Sequence, residues 1–334
     1  MKRWVQVVLI LLGIAIFIYI LWQSGPDGVA AVLAGDWRYL LLALLATGLA
    51  QMISGWRLQV ALAAVTGLDD VAARRRWPWR ATYHVTLTAQ LMGMVVPRLL
   101  STFGGKAAAL KAYQTDLRES VPAVLLDNIF DILVMAPLMA PGFLFATGVL
   151  NVFGLYAGYG VILLLLLPLL SWRPAETVWL PRLAYLERLP WLGSRMHMLL
   201  ARLLIVWPPP AAGRRLLLLT VLLNGFLALR FYFIALALGL VTTATLFLAL
   251  YPMAQLSLII ALAPGGLGVF DLSWLGLLSL AAVSGAEHFA VAQRIYVTVI
   301  NLFWGGVAIL LALTLGRPAG AAPDSLTPSS RNSQ

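Results

Sequence analysis

The stretch LAPGGLGVFD, residues 262–271, places a proline, three glycines and an aspartate within one of the most apolar parts of this chain. Proline and glycine break helices, and a carboxylate is costly in lipid. Their occurrence together predicts a helix that breaks inside the bilayer. A break at that depth requires protein or water to cover the bare backbone.

The composition places the whole chain in a membrane. Of its 334 residues, 61% are hydrophobic and 11% are charged, whereas a soluble domain has about 25% charged residues. Long uncharged runs recur along the chain, so we expect an all-α polytopic membrane protein. The net charge of +10 comes mostly from Lys and Arg in the segments between apolar runs, where cytoplasmic loops carry them. Because this position explains the charge, we do not expect a nucleic-acid partner. The absence of cysteine excludes disulfides and thiolate metal sites.

The apolar runs predict a single transmembrane domain over residues 1–315. The first run, 4–22, is longer than a signal-peptide core and is interpreted as a retained span. The segment 171–215 is rich in arginine, and its part 192–207 has the pattern of an amphipathic helix on the membrane surface. The tail 316–334, rich in Pro, Ser and Ala, predicts disorder. Further apolar runs cover 37–65, 81–96, 121–140, 152–170, 216–239, 243–263, 272–284 and 289–315, with Pro141, Gly142 and Asn151 separating the third from the fourth.

The charges of the loops predict the topology. Lys2 and Arg3 place the N-terminus in the cytoplasm, and the arginine-rich segments 74–76 and 171–215 must also face the cytoplasm. Three apolar runs lie between these segments, but an even number of crossings must join them. The run 81–96 is therefore expected to break at Pro97 and to return through a helix near 103–114.

The second half repeats this arrangement. The runs 243–263 and 268–284, hinged at 264–266, predict a second hairpin that enters from the opposite face. We expect about six full spans and two broken or re-entrant helical hairpins, arranged as an inverted repeat with halves 37–170 and 216–315. Paired broken segments point to a binding site at the bilayer midplane. The alternative is that the halves are similar only because apolar sequences resemble one another. Both termini are expected in the cytoplasm, with the protein in a bacterial inner membrane.

Several polar residues within the apolar runs are candidates for function. The helix N-terminus after a glycine break is an anion site, here for a lipid phosphate. Asp127 and Asp131 are four residues apart and share a helix face, either as paired buried charges or as a headgroup site or proton relay. We expect Arg230 to have a partner in the bundle interior. We expect Arg294 to bind phosphate or to act as a counter-ion. Arg57, near the cytoplasmic end of its run, is also compatible with snorkelling.

Enzymatic chemistry is not indicated. The histidines, at 84, 197 and 288, have no metal-binding spacing, and the GGK sequence at 104–106 lacks the frame of a P-loop. No set of nucleophile, base and orienting residue is apparent. We therefore expect no metal, no cofactor and no enzyme activity.

Four motifs together resemble a known family. They are Pro97 with Gly104, Gly105 and Lys106; LLDNIFD, which contains Asp127 and Asp131; APGGLGVFD, which ends at Asp271; and Arg294 in the last span. From about residue 37 to 315 the chain resembles the transmembrane domain of the lysylphosphatidylglycerol synthases, a flippase-like group also found as stand-alone proteins. The resemblance implies the translocation part without the C-terminal synthase domain.

This resemblance implies a membrane flippase that moves an anionic, aminoacylated, isoprenoid or hopanoid-type lipid between leaflets. The alternative is an accessory subunit that presents lipid to a glycosyltransferase or another lipid-modifying enzyme. The predicted headgroup site comprises Pro264, Gly265, Gly266, Gly268, Asp271, Gly104, Gly105, Lys106 and Arg294. The predicted intramembrane charges or proton relay are Asp127, Asp131 and Arg230.

Overall fold

The computed structural model describes residues 30–96, 101–171, 207–260 and 266–315, together with Ile18 and Trp22. These residues form helices and turns, with no β-strand among them, which confirms the all-α class. Several predictions concern segments outside the described residues. These are most of the first span, the greater part of 171–215 with its amphipathic helix, the tail 316–334, Pro97, Pro264 and Gly265.

The described helices follow the predicted apolar runs closely. In chain order they are α1 Trp37–Thr66, α2 Asp70–Arg76, α3 Trp79–Val95, α4 Lys106–Lys111 (entered through a π-helical turn, Ser101–Gly105), α5 Leu117–Ala146, α6 Val152–Ser171, α7 Pro210–Ala237, α8 Ala244–Ile260, α9 Val269–Leu280 and α10 Ala286–Leu315. Helices α1, α5, α7 and α10 are long and apolar enough to span a membrane. At a rise of about 1.5 Å per residue, their 28 to 30 residues exceed the ~30 Å hydrocarbon core. The chain is therefore an integral membrane protein.

Helix α5 continues beyond the point where the sequence predicted its end. The expected break at Pro141 and Gly142 is wrong, because the helix runs through both residues to Ala146. A proline removes one helical hydrogen bond, and neighbouring helices tolerate this loss within a membrane bundle. Gly142 also serves the packing, since a Cβ there would lie 2.2 Å from the carbonyl oxygen of Ala249 in α8.

The first predicted hairpin has its two arms side by side. Helix α3 packs against both the turn Ser101–Gly105 and α4. The approach is close at Gly93, where a Cβ would lie 2.9 Å from the Ser101 hydroxyl oxygen. Helix α4 in turn packs against α5, so the returning arm brings Lys106 towards the bundle interior.

The second predicted hairpin consists of α8 and α9, which pack against each other. Gly266 and Gly268 have φ values of +71° and +83°, which only glycine adopts without strain, and α9 begins directly after them. In α8, Pro252 cannot donate to the carbonyl of Leu248. The hydroxyl of Tyr159 on α6 donates to that carbonyl instead, at 3.1 Å.

Two packed regions hold these hairpins in the bundle. Helix α1 approaches its neighbours closely where it carries glycine. A Cβ on Gly48 would lie 2.3 Å from the Trp304 ring of α10, and a Cβ on Gly55 would lie 3.0 Å from the Tyr83 backbone of α3. An aromatic cluster joins α7, α8, α9 and α10. Its members are Phe231, Phe247, Phe270, Trp274 and Phe289, with ring centroids 4.8 to 6.2 Å apart.

Candidate functional site

A cavity of about 390 Å³ lies where the two hairpins meet the long helices. Its size is within the range of small-molecule sites, about 300–1,000 Å³. Every long apolar helix and both hairpins contribute to its wall. The charged and amide side chains of the wall are Gln51, Arg57, Gln90, Lys106, Asn128, Asp131, Asn224, Arg230, Gln255, Gln293, Arg294 and Asn301.

The first charge network joins α1, α4 and α5. The Arg57 Nε donates to Asp127 Oδ1 at 2.6 Å, and the two Nη atoms of Arg57 donate to the carboxylate of Asp131 at 2.5 and 2.9 Å. Lys106 Nζ donates to the other oxygen of Asp127 at 2.6 Å. Two cations thus balance two carboxylates, and the paired geometry with Asp131 is the strong bidentate form.

This network is buried. The side chain of Asp127 is 0% exposed and that of Arg57 is 1% exposed, so the snorkelling interpretation of Arg57 is wrong. Asp131 retains 22% exposure and faces the cavity. Helix α7 supports the network, because Thr220 accepts a hydrogen bond from Arg57 and Asn224 donates one to Asp131.

The second charge network joins α9 to α10. The fully buried carboxylate of Asp271 accepts from the Nε and Nη2 of Arg294, at 3.0 and 2.7 Å. It also accepts from Gln293 Nε2 at 2.6 Å and from the backbone N–H of Gly268 at 2.9 Å. Asp271 therefore caps the helix and neutralises a cation at the same time.

This arrangement changes the nature of the anion site. The N–H of Gly268, at the start of α9, already donates to Asp271. Arg294, held in place by Asp271, lines the cavity instead. At the start of α9, the Arg294 guanidinium therefore reaches the cavity, while the Gly268 N–H, one of the backbone amides expected at the anion site, is occupied by Asp271.

The predicted headgroup residues are divided between the wall and its support. Lys106 and Arg294 line the cavity, and Asp271 lies buried behind Arg294. Gly104, Gly105, Gly266 and Gly268 form the turns that lead into α4 and α9. Of the second predicted set, Asp131 and Arg230 line the cavity, whereas Asp127 supports Arg57 and Lys106 from behind.

Arg57 and most of the amides of this site were not among the site residues predicted from the sequence. Gln51, Ser54 and Arg57 recur every three residues on α1, a polar stripe in an apolar run that could have indicated a cavity face. In the cavity wall, the Gln90 amide of α3 donates to the Asn301 side-chain oxygen of α10. Among the described residues, no group of three or more metal-ligating side chains occurs.

Comparison with known proteins identifies one family. Residues 6–309 match the model of the family described as the lysylphosphatidylglycerol synthase TM region. The match covers well over half of the chain and includes both charge networks. No curated protein matches the sequence.

Proposed function

This chain belongs to the lysylphosphatidylglycerol synthase transmembrane family, and we propose that it is a lipid translocase that carries a phosphate-bearing headgroup through its cavity. The family match agrees with the resemblance of the motifs, and it places the chain among the membrane domains of lipid-related proteins. The observation that carries the proposal is the charge of the wall. Arg57, Lys106, Arg230 and Arg294 line the cavity from four different helices.

In this proposal the two hairpins are re-entrant and approach each other from opposite faces of the membrane. Helix α3 has 17 residues and α9 has 12, so at about 1.5 Å per residue neither reaches across a ~30 Å hydrocarbon core. About six full spans surround them as an inverted repeat, and the headgroup site lies near the midplane. The protein lies in a bacterial inner membrane with both termini in the cytoplasm.

The buried carboxylates orient the cations of the wall. Asp271 holds Arg294 through two hydrogen bonds, and Asp127 holds both Arg57 and Lys106. Phosphate binds the side of these cations that faces the cavity, while the acyl or isoprenyl tails remain in the bilayer. Rocking of one half of the bundle against the other then exposes the site to each leaflet in turn.

The energy for transport comes from the lipid gradient or from a coupled ion, because the sequence contains no ATP-binding motif. Asp127 is poorly suited to carry a proton, since its protonation would leave the buried Lys106 uncompensated and Arg57 with Asp131 as its remaining carboxylate partner. Asp131, the more exposed carboxylate of the network, is the better carrier. We assign no enzyme activity to the site.

The test is leaflet exchange in liposomes that contain the purified full chain. Fluorescent phosphatidylglycerol is placed in both leaflets, and a membrane-impermeant quencher reports how rapidly the inner pool reaches the outer leaflet. Arg294→Gln and Arg230→Gln each remove one cation from the wall. We expect each variant to slow exchange at least tenfold.

The matched control is Arg76→Gln, which removes an arginine from a partly exposed ion pair with Glu119 outside the cavity. Its exchange rate should equal that of the unmodified protein. Equal rates for the wall variants and this control would refute the assignment of the site. Lipid binding without exchange would indicate instead a subunit that presents lipid to an enzyme.

A further inference from the structure

We propose that the cavity opens sideways into the hydrocarbon core beside Ile132, and that the tails of the bound lipid leave through this opening. Outside the opening the tails lie along a tail track on α5, which is formed by Ile132, Ala136, Met139 and Phe143. This inference rests on the proposed function, because it states where the tails of the carried lipid lie while the headgroup is in the cavity.

The cavity wall carries apolar side chains as well as charged ones. Ile132 and Met135 of α5 and Leu256 and Leu258 of α8 line the cavity, and these two helices pack against each other. Such side chains offer no hydrogen bond to a phosphate, so they are suited to hydrocarbon. Met135 in particular has a flexible, unbranched side chain that adapts to irregular apolar surfaces.

Ile132 lies where the cavity meets the outer surface of the bundle. It lines the cavity together with Asn128, Asp131 and Met135 of the same helix. Asn128 and Met135 are only 9% and 3% exposed, so contact with the cavity alone leaves a side chain almost buried. Ile132 is 43% exposed, and it is the one exposed side chain among the described residues of the wall. The wall is therefore open to the surrounding hydrocarbon at Ile132.

From Ile132 an exposed apolar strip continues along α5. Residues four, seven and eleven positions further along a helix lie on the same face, and here they are Ala136, Met139 and Phe143. Ala136 is exposed, Met139 is 41% exposed and Phe143 is 47% exposed, and none of the three lines the cavity. At about 1.5 Å per residue the strip is about 16 Å long, roughly half of the ~30 Å hydrocarbon core. It therefore has the length of the tail region of one leaflet.

In the opposite direction along α5 the same face is covered. Asn128 is almost buried and Leu125 is partly buried. The turn Ser101–Gly105 and α4 pack against α5, with Lys106 on Asp127. In the proposed topology the N-terminus of α5 is cytoplasmic, so this conformation is open to the outer leaflet and closed to the inner one.

The track guides the tails without binding them tightly. Lipid tails are as apolar as the side chains of the track, so no hydrophobic gain accompanies their contact within the bilayer. The function of the track is therefore to stay apolar and unobstructed. A bulky side chain at the opening should hinder the tails, whereas the same side chain elsewhere on the lipid-facing surface should not.

The first test uses tryptophan as an obstruction, in the leaflet-exchange assay with fluorescent phosphatidylglycerol. We expect Ile132→Trp to slow exchange at least tenfold and Ala136→Trp at least threefold. Ala136 is exposed, so the second variant remains informative if the first does not fold. Leu164→Trp is the matched control, because Leu164 of α6 is 67% exposed and does not line the cavity. Its exchange rate should equal that of the unmodified protein.

The second test locates the tails without requiring transport. Phosphatidylglycerol with a diazirine in one acyl chain is photo-cross-linked to the purified full chain in detergent, and the labelled peptides are identified by mass spectrometry. A tenfold excess of unlabelled phosphatidylglycerol should reduce labelling of the tail track at least fivefold. Diacylglycerol with the same tails, which lacks the phosphate, should not reduce it. Labelling around Leu164 should respond equally to both competitors.

The two tests separate this inference from the proposed function. Labelling of the tail track that only phosphatidylglycerol removes supports the inference even if no leaflet exchange occurs. Labelling that diacylglycerol removes equally well, or a track without label, overturns the inference even if exchange is rapid. In a protein that exchanges lipid, equal rates for Ile132→Trp, Ala136→Trp and Leu164→Trp also overturn it.

Discussion

Asp127→Asn tests whether the buried charge network stabilises the bundle. The substitution keeps the shape of the side chain and removes one negative charge. Arg57 would retain Asp131 as a partner, but Lys106, which is 7% exposed, would keep only an amide at 2.6 Å. Removal of one member of a buried ion pair costs about 3–5 kcal/mol, a large part of the ~5–15 kcal/mol stability of a typical domain.

In domains of about 150–250 residues, each kcal/mol corresponds to about 2–4 °C in Tm. We therefore expect Asp127→Asn to lower the Tm in detergent by roughly 10 °C, measured by size-exclusion chromatography after heating. The double variant Asp127→Asn with Lys106→Met should recover part of this loss, because it removes the uncompensated cation together with its partner. The coupling energy of the two substitutions should then be at least about 1 kcal/mol.

The control is Asp70→Asn, which removes an acid from an ion pair with Arg215 in which both side chains are about half exposed. Exposed pairs contribute about 0–1 kcal/mol, so its Tm should change little. If Asp127→Asn were no less stable than this control, or if the effects of the double variant were purely additive, the network would not stabilise the bundle.

Two further predictions concern helix packing and can be measured with the same Tm assay. Gly142→Val should destabilise the protein by at least about 2 kcal/mol, because its Cβ would lie 2.2 Å from the Ala249 backbone oxygen. Gly160→Val, where a Cβ meets nothing within 4 Å, is the matched control and should have little effect. Tyr159→Phe should cost about 1 kcal/mol, because the carbonyl of Leu248 loses its donor; an unchanged Tm would show that the carbonyl does not need this hydrogen bond.

The positions of the helices could largely be predicted from the sequence. Apolar runs and their polar boundaries depend on local composition, so the runs 37–65 and 152–170 agree closely with Trp37–Thr66 and Val152–Ser171. The prediction failed at Pro141, where local helix-breaking tendency is overridden by packing against α8. That packing involves residues about a hundred positions away, which a local pattern cannot report.

The motifs also led to part of the candidate site. Asp127 and Asp131 share a helix face because they are four residues apart. Both carboxylates accept hydrogen bonds from Arg57. Asp271 follows the glycine break and contacts Arg294. Arg57 was not identified as a member of the site, because an arginine near the end of an apolar run is equally compatible with snorkelling.

The amino-acid sequence by itself determined that this chain is a helical membrane protein of its family, where most of its helices lie, and that acids and bases are present within them. An ionised side chain in a bilayer needs a partner, and this requirement can be seen from composition alone. The choice of partners was decided only by the tertiary structure. Arg57 and Asp127 are 70 residues apart in the sequence. A medium of low dielectric makes it necessary that each charge has a partner, but it does not specify which partner. Only the packing of α1 against α5 therefore determines which charges meet and which face the cavity.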